Sequence, residues 1–179
     1  VFQKLDKSRF KISMYYTNDI IDDVTKGLQS LASEFRFIKK VNDDDCCKQI
    51  IEDDIDILFD LSGFTSGDRL GIFKRKPAPL QISFLGYFGT LGIPEIDYVI
   101  ADDTLVKSDE DQYFTEKVYK LAGCHMHADL HNLQDTKPNP ELPYIKNQYI
   151  TFGSMNNAHK ISTEMISKWA EILKRVANS

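Results

Sequence analysis

A lysine placed just ahead of a predicted helix is the residue that most directly suggests ligand chemistry. A short apolar run at 149–152 leads into a polar loop, Gly153 to Lys160, and Ser162 is a plausible N-cap for the helix that follows. Free N–H groups and the dipole at a helix N-terminus bind anions, so an ammonium group there suits a phosphate. A solvated lysine beside an ordinary capped helix fits the same pattern. The residue types alone leave both readings open.

Three of the four histidines and one of the three cysteines lie close together, in Cys124-His125-Met126-His127 and at His131, four residues further on. Thiolate and imidazole groups this close together are ligands that zinc or copper accepts. Their spacing matches no standard structural site, and a loop that is rich in histidine by chance fits equally well. We therefore expect no metal here.

An acidic cluster is the third candidate, formed by Glu52, Asp53, Asp54 and Asp56. Paired carboxylates can carry out general acid–base chemistry. Such a run is also typical of the solvated end of a helix. We expect the second case, although one carboxylate near the following strand could orient a partner across a cleft.

Two glycine-containing turns follow two predicted strands, at 62–67 and at 86–92. Parallel sheets bind ligands at the carboxyl ends of their strands. Both turns carry hydroxyl groups, so they are the first place to look for a cleft, although glycines after strands often only turn the chain. The predicted cleft residues are Ser62, Gly63, Thr65, Tyr87, Gly89 and Thr90.

The elements that position these residues alternate along the chain. Apolar runs predict strands at 10–16, 35–41, 55–59, 80–85, 96–100, 118–121 (at a sheet edge) and 149–152. Helical segments are predicted after Asp19 as N-cap, from Asp43, at 69–76, at 109–114 and from Ser162. This alternation predicts an α/β fold, a Rossmann-like parallel sheet with helices on both sides.

Prolines divide the sequence. Pro138, Pro140 and Pro143 lie in a stretch with few apolar residues. We therefore expect one domain at 1–133, a linker at 134–147, and a second region at 148–179.

Composition excludes several classes of protein. A net charge of -5 argues against nucleic-acid binding, which needs a basic face. No apolar run approaches the ~20 residues of a membrane span, and the charged start of the chain is unlike a signal peptide. Three cysteines, two of them adjacent, predict a reducing compartment, which we take to be the cytoplasm. Val1 is not an initiator methionine, so we expect the natural chain to extend further.

The stretch from 56 to 98 resembles the O-linked N-acetylglucosaminyltransferase family, the SPINDLY-like proteins with tetratricopeptide repeats. The matching residues are Asp56-Ile57-Leu58, Asp60-Leu61-Ser62-Gly63, Thr65, Gly67, Arg69-Leu70, Phe73, Arg75, Pro77-Ala78-Pro79, Gln81, Leu85-Gly86-Tyr87, Gly89-Thr90, Gly92 and Asp97-Tyr98. Two residues depart from the family pattern. Phe64 stands where many bacterial members carry His and others Tyr, and Phe88 stands where the family usually has Pro.

The C-terminal region is similar to the same family's donor-site segment. The matching residues are Phe152-Gly153-Ser154, Asn156-Asn157, Lys160-Ile161, Trp169-Ala170, Ile172-Leu173-Lys174 and Val176. The resemblance implies that Lys160 holds the diphosphate of the sugar nucleotide as it leaves and that Asn157 contacts the nucleotide. A positioned cation stabilises the charge that develops on this leaving group.

The resemblance implies the first half of a two-lobed GT-B glycosyltransferase plus the start of its second half. The implied reaction is inverting, needs no metal or other cofactor, and transfers N-acetylglucosamine from UDP-N-acetylglucosamine to Ser or Thr hydroxyls of proteins. Acceptor proteins would bind to upstream tetratricopeptide repeats, and a family His-Pro motif would precede Val1. We expect these 179 residues alone to be inactive. The alternative is a non-catalytic α/β interaction domain that keeps the scaffold, which the departures at Phe64 and Phe88 favour.

Overall fold

The computed structural model describes residues 2–126, 137 and 139–179. The chain divides into two compact units, Val1–His127 and Ala128–Ser179, and each is described by itself. Within the described residues, no helix combines the length and apolar character that crossing a membrane requires.

The first unit contains six strands and three α-helices. They are β1 (Ser13–Tyr16), α1 (Asp23–Leu31), β2 (Glu34–Phe37), α2 (Asp43–Glu52), β3 (Ile57–Asp60), α3 (Leu70–Phe73), β4 (Leu80–Ser83), β5 (Tyr98–Ala101) and β6 (Lys117–Lys120). Short 3-10 turns cover Phe2–Lys4 and Asp111–Tyr113. The predicted α/β class is confirmed.

All strand pairs among the described residues are parallel, but they form two sheets where the sequence predicted one. β1 pairs with β2, and the other sheet has the order β3-β4-β5-β6. The register in the larger sheet pairs Asp60 with Ser83 and Ser83 with Val99. The carboxyl ends of β3 and β4 therefore lie side by side, and β6 is an edge strand as predicted.

Side-chain hydrogen bonds connect the two-stranded sheet, β1 and β2, to the end of helix α2, which precedes β3. Asp53, one residue past α2, accepts bonds from Arg36 Nε at 2.7 Å and Nη2 at 2.5 Å. The Tyr15 hydroxyl donates to the same carboxylate at 2.6 Å. Burial opposes ionisation of Asp53, but the hydrogen bonds from Arg36 and Tyr15 outweigh it and lower its pKa. The member of the acidic cluster that is most buried therefore has a structural role.

The core of the first unit lies between β3 and helices α2 and α3. Cys46, Cys47 and Ile50 of α2 are buried together with Leu70, Ile72 and Phe73 of α3 and with Leu58 of β3. Gln81 of β4 is fully buried among them, and its amide donates to the Phe73 and Glu95 carbonyls, both at 2.9 Å. All three cysteines are free.

Helix α1 begins three residues later than the predicted N-cap, Asp19, would place it. Asp22 is the N-cap, and its carboxylate accepts the Thr25 N–H at 2.8 Å. Asp19 instead forms an ion pair with Lys39 at 2.8 Å. Both aspartates can cap a helix, and the ion pair to the segment after β2 explains why Asp19 is not used.

The second unit contains two helices, α4 (Pro143–Asn147) and α5 (Thr163–Arg175), with a 3-10 turn at Ala158–Lys160 between them. Helix α4 falls at the end of the stretch predicted as a linker. The strand predicted at 149–152 is absent, because no described segment of this unit pairs with it. Ser162 caps α5 as predicted, and its hydroxyl accepts the Met165 N–H at 3.2 Å.

Candidate functional site

The loop after β3 is shaped by a buried aspartate at the end of the strand. Asp60 is 5% exposed, and its carboxylate accepts the N–H groups of Ser62 at 3.2 Å and Gly63 at 2.8 Å. Burial raises the pKa of Asp60 despite these two bonds. The Thr65 hydroxyl donates to the Ser62 carbonyl at 2.8 Å, so it is engaged within the loop. Of the predicted hydroxyls in this loop, Thr65 therefore holds the turn.

The loops after β3 and β4 interlock through their glycines. Gly63 has φ +55, and a Cβ built on it would lie 2.1 Å from Tyr87 Cβ. A Cβ on Gly86 would lie 1.9 Å from the Leu61 carbonyl oxygen. Both positions need glycine because the facing loop occupies the space of a side chain. The structure thus brings together the two predicted turns, with Gly63 against Tyr87.

Aromatic rings line the outer side of these loops. Phe64 packs edge-to-face on Tyr87, with ring centroids 5.4 Å apart. Phe88 packs edge-to-face on the imidazole of His125, with centroids 5.7 Å apart. Phe64 and Phe88 are 56% and 50% exposed. The two positions that depart from the family pattern therefore present apolar surface beside the predicted cleft residues.

Thr90 lies beside the residues that precede β6. Its hydroxyl donates to Glu116 Oε2 at 2.7 Å, and the Leu91 N–H donates to Oε1 at 2.9 Å. Thr90 Oγ1 also accepts the N–H of Gly92 at 3.1 Å. Glu116 is 3% exposed. Thr90 therefore fixes the end of the turn that contains Gly89, and its role in binding a ligand stays a prediction.

A buried aspartate also follows β5. Asp102 Oδ1 accepts the N–H groups of Thr104 at 2.9 Å and Leu105 at 2.8 Å. Its Oδ2 lies 2.7 Å from the backbone N and 2.6 Å from the ring Nδ1 of His125. The backbone N–H of His125, its ring and the Leu105 N–H hold the pKa of Asp102 well below its usual range.

Asp102, Cys124 and His125 include three ligand-type atoms within 4.8 Å of one another. Sequence spacing could not reveal this group, because Asp102 comes from a different loop. Both carboxylate oxygens of Asp102 already accept hydrogen bonds, which an ion would have to displace. The contacts therefore favour a hydrogen-bonded Asp–His pair over a metal centre. His127 and His131 lie outside the described residues.

The predicted donor-site residues belong to the second unit. Asn157 precedes the 3-10 turn, and its side-chain carbonyl accepts the His159 N–H at 3.1 Å. Lys160 ends that turn and is exposed, three residues ahead of the first residue of α5. The local geometry places a cation next to the N-terminus of a 13-residue helix, as the sequence predicted.

Sequence reasoning missed Glu116 and the pairing of Asp102 with His125. A single acidic residue before a short strand carries no sign that it is buried. The pairing of Asp102 with His125 depends on β5 and β6 lying side by side in register, which only the folded sheet supplies. One signal for Asp102 was present in the sequence, since this aspartate directly follows an apolar run. Residues in that position are typically found at the carboxyl edge of a parallel sheet.

Known proteins resemble this chain over most of its length. Residues 3–137 match the profile of Glycosyl transferase family 41. A protein of Eustoma exaltatum subsp. russellianum, named as probable UDP-N-acetylglucosamine–peptide N-acetylglucosaminyltransferase SPINDLY, is 36% identical over 81% of this chain. The Arabidopsis thaliana protein named as the corresponding probable transferase SEC is 32% identical over 85% of it. This chain spans 16% of the length of each of these relatives.

A solved structure supports the same relationship. A mutant of the O-GlcNAc transferase of Thermobaculum terrenum superposes with a TM-score of 0.79 and 28% sequence identity. The match covers 97% of this chain and 32% of that one. Since the family profile matches well over half of the sequence, the chain belongs to glycosyl transferase family 41.

Proposed function

We propose that these residues are part of an inverting glycosyltransferase that moves N-acetylglucosamine from UDP-N-acetylglucosamine to Ser and Thr hydroxyls of proteins. Membership of family 41 is the observation that carries the proposal. The names of the plant relatives, which specify UDP-N-acetylglucosamine and peptide, support the donor and the class of acceptor.

Lys160 and Asn157 are the proposed nucleotide-binding residues. Departure of a nucleoside diphosphate leaves negative charge, and a cation held beside a helix N-terminus stabilises that charge. Lys160 is exposed beside α5, and this position supports the assignment. We propose that no metal or other cofactor takes part in the transfer, because Lys160 supplies the positive charge.

The remaining parts of the proposal concern the whole protein. Residues 1–133 would form the first half of a GT-B fold, and 148–179 would open the second. Acceptor proteins would bind through upstream tetratricopeptide repeats. The three free cysteines support a reducing, cytoplasmic location. These 179 residues by themselves would not turn over the donor, and measurable turnover by the purified chain would refute that point.

Calorimetric titration of the full-length protein with UDP tests the nucleotide site. Replacing Lys160 by alanine removes a charge-assisted contact, which should cost about 1.5–3 kcal/mol, or roughly tenfold to a hundredfold in affinity. Lys168→Ala is the matched control, since Lys168 is an exposed lysine of the same helix and is not among the residues that match the donor-site segment. Equal affinity for UDP in wild type and Lys160→Ala would move the nucleotide site elsewhere.

A scaffold without catalysis is the second candidate. The exposed rings of Phe64 and Phe88 favour it, because they present apolar surface at the predicted cleft loops. It predicts that the full-length wild-type protein binds no UDP, which the same titration measures.

A further inference from the structure

The two sheets of the first unit each have an open edge. β1 pairs with β2, and β3 pairs with β4, but neither β1 nor β3 has a ladder partner on its other side within the part of the chain that the structure describes. An unpaired strand edge presents a row of backbone N–H and C=O groups to which another strand can bond. The first unit therefore offers two strand edges to a further strand.

The ladder between β3 and β4 identifies the backbone groups at the open edge of β3. The Asp60 carbonyl accepts the N–H of Phe84, which directly follows β4, at 2.9 Å. Consecutive residues of a parallel strand bond to opposite sides. The N–H and C=O groups of Ile57 and Phe59 therefore point away from β4.

The same reasoning applies to the open edge of β1. The Tyr16 carbonyl accepts the N–H of Ile38, which directly follows β2, at 2.9 Å. The alternation along the strand means that the backbone groups of Ser13 and Tyr15 point away from β2.

Both sheets pack on one core. Tyr15 of β1 packs against the cluster that helix α2 forms with Leu58 of β3, and Ile38 is buried in the same cluster. The Tyr15 hydroxyl also donates to Asp53, between α2 and β3, at 2.6 Å. The two open edges therefore belong to strands that share a helix and a core.

The order of the strands distinguishes two kinds of doubly wound sheet. One common order is 2-1-3-4-5, which would require β1 and β3 to be hydrogen-bonded to each other, and they are not. The other is 3-2-1-4-5-6. The observed β2-β1 and β3-β4-β5-β6 fit this second order when β1 is its second strand, and its first strand then belongs between β1 and β3.

The residues of β3 are also those of a central strand. Ile57 and Phe59 are 43% and 44% exposed on one face of the sheet, while Leu58 and Asp60 are buried on the other. Parallel sheets are normally covered on both faces, and edge strands normally carry charged residues or proline. Three consecutive apolar residues, Ile57-Leu58-Phe59, therefore favour a position inside a larger sheet.

We propose that a strand of the longer natural protein inserts between β1 and β3, parallel to both, and joins the two sheets into one. This chain spans 16% of the length of its plant relatives, so further segments are to be expected. A parallel crossover needs about a dozen or more residues, and residues 2–12, ahead of β1, contain no strand. The inserted strand is therefore a run of about five mainly apolar residues that precedes Val1.

The inserted strand ends beside the loop that follows β3. Doubly wound sheets bind their ligands where the strand order reverses, which here is between the inserted strand and β3. The loop shaped by Asp60 and Gly63 therefore faces the segment that follows the inserted strand. The inference concerns how the sheet is completed, and it stands or falls independently of the proposed sugar transfer.

Hydrogen exchange of the full-length protein, followed at single residues by mass spectrometry, tests the insertion without any substitution. The N–H groups of Met14 and Leu58 face the existing ladders, so they are the internal references. We expect the Tyr15 and Phe59 amides to exchange within about tenfold of the rates of these neighbours. Exchange of Tyr15 and Phe59 at the rate of solvent-exposed amides would overturn the proposal.

Photocrosslinking of the full-length protein identifies what lies at the open edge. Phe59→p-benzoylphenylalanine should form a cross-link to an apolar run before Val1 of the same polypeptide. The control is the same replacement of Tyr119, which is 57% exposed on edge strand β6 and should give no cross-link to that run. A cross-link from position 59 to β1 or to a second polypeptide, or no cross-link from it at all, would overturn the proposal.

Discussion

Replacing Gly86 by alanine tests the interlocking of the two loops. A Cβ there would lie 1.9 Å from the Leu61 carbonyl oxygen and 3.1 Å from the Ser62 Cα. Carbon and backbone atoms pack at roughly 3.5 Å, so the loops must separate by ~1.5 Å. The clashing atoms are backbone atoms and cannot move by a change of rotamer. We therefore expect Gly86→Ala to lower the free energy of unfolding by about 3 kcal/mol, the upper end of the range for overpacking. For a protein of this size that corresponds to roughly 6–12 °C in Tm.

The same substitution at two other glycines provides the controls. Gly67 has φ +83 with nothing within 4 Å, so Gly67→Ala carries only backbone strain, about 1–2 kcal/mol. Gly27 lies inside α1 with open space around it, so Gly27→Ala should stabilise by about 0.5–1 kcal/mol. Urea unfolding of the purified chain measures all three. If Gly86→Ala proved no more destabilising than Gly67→Ala, the two loops would not be packed as described.

Two further substitutions test buried contacts by unfolding. Asp53→Asn should cost about 1.5–3 kcal/mol at neutral pH by weakening the bonds to Arg36 and Tyr15. Because folding lowers the pKa of Asp53, its carboxylate contributes to the free energy of unfolding above about pH 4, and this contribution is lost on acidification. The unfolding free energies of wild type and Asp53→Asn should therefore converge at low pH. A difference that stays constant with pH would contradict this. Thr90→Val should cost about 1–3 kcal/mol by removing a bond to buried Glu116, and an unchanged midpoint would contradict it.

The sequence predicted most elements because apolar runs and caps are local signals. Ser162 lies where its hydroxyl caps α5, and the apolar run that became β4 is short and bounded by prolines and glycines. Local signals gave the wrong N-cap for α1, where two nearby residues were equally suitable. Asp19 and Asp22 can both cap a helix, and the ion pair from Asp19 to Lys39 decided between them.

The parts of the site that were missed depend on neighbours that are distant in sequence. Apolar runs do not say which strands share a ladder, so the division into two sheets was not predictable. The bond from Thr90 to Glu116 spans 26 positions, and that from His125 to Asp102 spans 23. The apolar run at 149–152 met the local criteria for a strand, but a strand also needs a partner to pair with.

Sugar transfer by the full-length protein would test the claim that this chain is part of a sugar transferase. The protein would be incubated with UDP-N-acetylglucosamine and a mixture of Ser- and Thr-containing polypeptides, followed by mass spectrometry. We predict N-acetylhexosamine on Ser or Thr hydroxyls, with loss of the signal in Lys160→Ala. An intact, UDP-binding wild-type protein that modifies no hydroxyl would contradict the claim.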